Sequence, residues 1–186
     1  MNTTEETHAI GKNLHNVGWY FVHTLWIQSQ MIDLVILKQH PRIVSKFLSK
    51  ISTLPPTFVQ CRDVYWQKDF KFIKKIFEGE FNTVWSKNAK ADLATAYNLR
   101  NIIAHAQVSL TRPYLLHRPD SLKRLHEIQS TLEIRKRAGY RRPLILKVNF
   151  SDDAIYHRNF SAIERLDRIH LKNIADSIGI PHSRVR

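Results

Sequence analysis

The 186 residues suffice for one well-packed domain and are short for two. A hydrophobic fraction of 43% with only five glycines excludes an intrinsically disordered chain. Lys and Arg number 29 against 16 Asp and Glu, a formal charge of +13. That excess favours a polyanionic partner (RNA, DNA, an anionic membrane or an acidic protein), with a nucleic acid first among them.

Cys61 is the single cysteine, so neither an intrachain disulfide nor a cysteine-based zinc site is open to one chain. Met1 to Thr7 is polar and acidic, without the basic and apolar segments of a secretory signal. The expected location is a reducing cytoplasm.

Thr7 to Gln39 reads as one long helix. Ile10, Leu14, Val17, Phe21 and Leu25 recur at spacings of three and four. Trp19, Tyr20, Val22, Trp26 and Ile27 widen the apolar surface, as in a helix packed on several neighbours. Val17 to Leu37 is fairly apolar, but His23, Thr24, Gln28, Ser29, Gln30 and Asp33 interrupt it. A membrane span wants about 20 predominantly apolar residues, so a buried core helix is expected and no membrane. Pro41 closes this helix and starts another, striped by Ile43, Val44, Phe47, Leu48 and Ile51; Pro55-Pro56 is a break.

Between Phe58 and Phe81, aromatic residues alternate with Lys68, Lys71, Lys74 and Lys75. Such interleaving suits stacking on single-stranded RNA. A helix with its aromatics inward and lysines in water is the simpler expectation.

The next helix, Asn88 to Gln107, carries the chemistry. Successive side chains rotate by about 100°. Leu99, Ile102, Ile103 and Ala106 therefore share one face, and Arg100, Asn101, Ala104 and His105 the other, with Tyr97 near its middle. Arginine is a permanent cation, and histidine exchanges protons near neutrality. Together they can hold a phosphate and move protons around it. Arg100 and His105 diverge by about 140° on an ideal helix, so a second copy of the segment would help to close the site.

Ten Lys or Arg crowd Thr111 to Lys147, against three acidic residues. Leu132–Arg135 and Leu144–Phe150 read as strands about the turn Ala138-Gly139-Tyr140. This predicts a β-hairpin with a basic tip, where Arg135, Lys136, Arg137, Arg141 and Arg142 would contact RNA phosphates. Asn159 to Ile178 returns to a helical pattern, with Ser161 as its cap, Glu164 three residues on, and Gly179 and Pro181 ending it. The chain holds no Gly-rich phosphate loop and no His-Glu-x-x-His motif; no metal and no cofactor are expected.

Arg-Asn-x-x-Ala-His, at Arg100 to His105, resembles the signature of the HEPN superfamily of small helical domains, many of them metal-independent endoribonucleases. The resemblance implies a mainly α, HEPN-like helical bundle; with the length and the residue pattern, the expectation is a single domain over 1–186 with a small β-hairpin inserted at about 111–150 between the motif helix and the C-terminal helix. It implies a homodimer whose two motifs line one cleft, RNA as substrate, and a toxin–antitoxin or phage-defence setting with a possible antitoxin or regulatory protein. On this reading His105 is the general acid or base, Arg100 stabilises the phosphorane charge, Asn101 orients either group, and Tyr97 supports them. A non-catalytic nucleic-acid-binding or complex-forming module is the alternative. Gln107 stands where one toxin group of the family carries a tyrosine modified by its antitoxin.

Overall fold

The computed structural model describes residues 3–49, 54–108, 111–134 and 144–186. In chain order the elements are α1 (Thr3–Gln39), a 3-10 turn (Pro41–Ile43), α2 (Val44–Ser49), α3 (Pro56–Trp66), α4 (Phe70–Glu80) and α5 (Lys87–His105). There follow β1 (Gln107–Val108), β2 (Leu115–His117), α6 (Leu122–Leu132), β3 (Leu146–Val148), α7 (Asp153–Arg165), a π-helical turn (Leu166–Leu171), α8 (Lys172–Ser177) and a 3-10 turn (His182–Arg184). The fold is mainly α with a small antiparallel sheet in the order β1-β2-β3. The chain divides into two compact units, residues 1–24 with 91–163, and residues 25–90 with 164–186.

In the first unit, α1 docks on the sheet's outgoing strand through two buried asparagines. Asn16 Nδ2 donates to the Phe150 carbonyl at 2.7 Å, and Asn13 Oδ1 accepts the Phe150 N–H at 2.9 Å. Phe150, two residues beyond β3 and fully buried, thus has both backbone groups satisfied by side chains. Tyr20 donates to the Tyr156 carbonyl at 2.8 Å, its ring 5.2 Å from that of Phe150. Leu99, Ile102, Leu115, Ile128, Leu132 and Val148 complete this core.

The expected small β element between α5 and the C-terminal helix is present, but one of its strands and its pairing differ from those expected. Leu132 is the last residue of α6, not the start of a strand. Ile128 and Leu132, one turn apart, are both buried and keep α6 helical to that point. Glu133 then turns left-handed at φ 49°, and Ile134 N–H closes the helix onto the Gln129 carbonyl. The second expected strand exists as β3, but it pairs with β2, Leu115↔Val148 to His117↔Leu146. Arg135, the turn Ala138-Gly139-Tyr140 and Ile51 lie outside the described residues.

In the second unit, Gln30 to Leu37 of α1 are buried all round, as a central helix requires. Among the described residues, no helix is long and apolar enough to cross a membrane. Pro55 and Pro56 start α3, and Asp69 caps α4 by accepting the Phe72 N–H at 2.7 Å. Phe70, Phe77 and Phe81 point inward, but Trp66 and Phe72 are exposed, against the expectation of an inward aromatic face. Cations cover them: Arg62 lies 4.9 Å from the Trp66 ring centre and Lys68 5.7 Å from that of Phe72.

The C-terminal helix starts earlier than the sequence suggested. Asp152 accepts the Ala154 and Ile155 N–H groups, whereas Ser161 sits inside α7 and bonds the His157 carbonyl at 2.8 Å. An aspartate with no competing partner upstream outranks a mid-helix serine, which back-bonds instead. The π turn then resets the apolar stripe. Leu166 and Leu171, five residues apart, are both buried, while Ile169 faces water. Gly179, at φ 73°, ends α8, with Ile180 N–H on the Ala175 carbonyl at 2.9 Å.

Candidate active site

The two faces of α5 differ only in part, for Ile103 and Ala106 of the expected apolar face are half-buried. Leu99 and Ile102 are fully buried, as are Leu93 and Ala96. On the opposite side Ala104 and His105 are exposed, and Tyr97, Arg100 and Asn101 are half-buried. Among the described residues, no hydrogen bond joins Arg100, Asn101 or His105 to one another, and the Arg100 Nε, buried, has no hydrogen-bond partner. Arg100 is thus positioned by packing, with donor capacity unspent. Leu93, placed toward the polar face by helical angle, is buried in the core instead.

His105 ends α5, and one residue later β1 begins. The register Gln107↔Leu116 and Val108↔Leu115 continues, if extended one step, to Ala106 opposite His117. Strand pairing thus brings a second imidazole beside the motif. His117 is 7% exposed, and its Nδ1 lacks a hydrogen-bond partner among the described residues. Burial holds it below the ordinary histidine range. The charges of His105 and Arg124 push the same way, and Asp120 opposes them.

Arg124 comes from the start of α6, where Ser121 Oγ accepts its N–H at 3.2 Å. Its guanidinium donates to Asn98 Oδ1 at 2.6 Å and lies 5.0 Å from the Tyr97 ring centre. The polar face of α5 therefore carries a second cation, fixed by the Asn98 amide, the Tyr97 ring and, at 3.3 Å, the Glu127 carboxylate.

Sequence reasoning named Arg100, Asn101, His105 and Tyr97. It missed Asn98, His117 and Arg124. Ser121, three residues before Arg124, is a readable cap signal and would have placed that arginine in a first helical turn. His117 carries no such signal, since only the β1–β2 register brings it to α5.

The expected phosphate-contacting residues Arg135, Lys136, Arg137, Arg141 and Arg142 lie outside the described residues. Within them, Arg112, Arg118, Lys123 and Lys147 are exposed. Tyr114 sits between two cations: Lys147 Nζ is 3.8 Å and the Arg112 guanidinium 5.8 Å from its ring centre. Among the described residues, no group of three or more His, Cys, Asp or Glu is placed to hold a metal ion.

Comparison with protein-family models, with curated proteins and with solved structures returns no match.

Proposed function

We propose that the chain is a metal-independent endoribonuclease of HEPN type that cleaves RNA by attack of the ribose 2′-hydroxyl. The observation that carries this reading is the open face of α5, where Arg100, Asn101 and His105 surround the small Ala104 with no hydrogen bond among them. An imidazole and a guanidinium on one helix face offer a phosphodiester a proton acceptor and a charge partner for internal transfer of its phosphoryl group.

In the proposed reaction neutral His105 takes the 2′-hydroxyl proton, and the 2′-oxygen bonds to phosphorus. Arg100 stabilises the added negative charge on the non-bridging oxygens. The bond to the 5′-oxygen breaks, and that oxygen takes a proton, from the imidazolium of a second copy in the dimer the resemblance implies. The products are a 2′,3′-cyclic phosphate and a 5′-hydroxyl. Asn101 orients the phosphate, and Tyr97 is held by Arg124. The net charge of +13 supports an RNA substrate through non-specific phosphate contacts. A defence or toxin–antitoxin setting with a regulatory partner belongs to the same proposal.

The test is an RNA oligonucleotide that carries a single 2′-O-methyl group at its cleaved position. Loss of cutting there alone supports internal attack. Undiminished cutting at the blocked position contradicts it.

A further inference from the structure

The second unit holds a cavity of about 470 Å³ that the ribonuclease reading does not use. Leu25, Trp26 and Leu54 form its exposed rim, while Asp33 and Phe47 form a buried floor. Three guanidiniums enter its wall, from Arg62 on α3 and from Arg184 and Arg186 near the C-terminal 3-10 turn. Its volume falls within the range typical of small-molecule sites, about 300–1,000 Å³.

The wall is built rather than incidental. Arg62 Nε stands 3.0 Å from Asp33 Oδ1, yet neither atom has a hydrogen-bond partner among the described residues. The two form an ion pair on an aspartate whose side chain is 7% exposed. Other contacts fix the guanidiniums in place. Arg62 Nη2 donates to Ser29 Oγ at 2.8 Å. Arg184 donates to the Phe47 carbonyl and lies 5.4 Å from the Phe47 ring centre. Arg186 pairs with Asp167 at 3.1 Å. Asp33 pairs with Arg62 and Asp167 with Arg186, which leaves the three guanidiniums a surplus of one positive charge over these carboxylates to favour an anion. Planar guanidinium forks match phosphate, and Trp26, 44% exposed at the rim, offers a flat face to an aromatic group.

We propose that this cavity binds a small phosphorylated ligand of mononucleotide size, with its phosphate among Arg62, Arg184 and Arg186 and its flat group against Trp26. Burial raises the Asp33 carboxyl to about 7 despite the neighbouring Arg62, so this acid opposes an incoming phosphate less than an exposed aspartate would.

The experiment is calorimetric titration of the full chain with adenosine 5′-monophosphate, adenosine and inorganic phosphate in turn. Saturable binding of the nucleotide at about 1 mM or tighter, with adenosine and phosphate each at least about tenfold weaker, is the expected result. Phosphate binding as tightly as the nucleotide would remove the aromatic part of the proposal and overturn it in this form. Arg186→Gln, which removes the charge without setting a carboxylate against Asp167, and Arg186→Glu should each weaken the nucleotide about tenfold or more. Asp33→Asn, which keeps a neutral polar group, should bind within about threefold of the parent. Arg100→Ala reports on the other site and should leave this binding unchanged. No saturable binding, or binding that falls with Arg100→Ala and not with Arg186→Glu, would overturn the assignment. Neither outcome bears on RNA cleavage.

Discussion

Arg124 and Asn98 are joined by a 2.6 Å hydrogen bond that ties the first turn of α6 to the polar face of α5. Asn98 is 3% exposed, so its amide oxygen has no ready substitute in water. The same guanidinium covers Tyr97. One side chain thereby fixes two residues of the face that carries Arg100 and His105.

Arg124→Ala should therefore cost about 1–3 kcal/mol of stability, because it strands a buried acceptor. Arg124→Lys keeps the charge but loses the planar fork and should recover only part of it. Chemical denaturation of both variants and of the Asn98→Ala, Arg124→Ala double variant checks this. The single losses should add to more than the double loss. Strict additivity would mean that the contact contributes nothing.

The Phe150 clamp makes a prediction on the opposite side of the same unit. Asn16→Leu leaves the buried Phe150 carbonyl without its 2.7 Å donor, at an expected cost of about 1–3 kcal/mol. Asn16→Asp keeps the size, removes the donor and should be at least as costly. Thermal unfolding compares them, and a variant as stable as the parent would rule out a structural role for this bond.

His117 gives stability a pH dependence of definite sign. Its folded-state affinity for protons is lowered, chiefly by burial. Between the lowered value and the ordinary value near 6.5, the unfolded chain binds more protons. Stability that is complete above this window is therefore lost as pH falls through it. His117→Gln, which cannot titrate, should show a smaller loss between pH 7.5 and pH 5. Parallel loss in both proteins would contradict this role.

Asp33 acts in the opposite sense. Its carboxyl is raised from 3.8 to about 7 in the fold, by burial first and against the pull of Arg62. Between those values the folded chain binds more protons, so stability is lost as pH rises from 4 toward 7 and is not regained above it. Relative to Asp33→Asn, the parent should lose on the order of a few kcal/mol across that range. A pH-independent difference in melting temperature between the two would show that Asp33 is ionised throughout.

Helical periodicity is legible wherever one face is buried. The stripe about Leu99 and Ile102 declares α5, and both residues are buried. The run from Ile10 to Leu25 declares α1, but Phe21 and Leu25 are exposed, and the face that α1 buries carries Asn13, Asn16, Tyr20, Thr24 and Ile27 instead. The open face of α5 was legible for the same reason, since Arg100, Asn101 and His105 follow from 100° per residue. Partners distant in sequence leave no local trace. Leu144–Phe150 is β-capable, but nothing within it says that β2 is its neighbour rather than the segment after Leu132. His117 and Arg124 reach α5 only through the β1–β2 register and through the turn into α6. The π turn is likewise invisible, because Leu166 and Leu171 fit no α-helical spacing.

The central claim is that His105 carries metal-free cleavage of RNA. The measurement is a cleavage assay on total RNA and tRNA-sized RNA in excess EDTA, the parent beside His105→Ala, with the new ends identified. Cleavage by the parent alone, leaving 2′,3′-cyclic phosphates and 5′-hydroxyls, is the predicted result. RNA bound equally by both proteins and cut by neither, or cut equally by both, would contradict it.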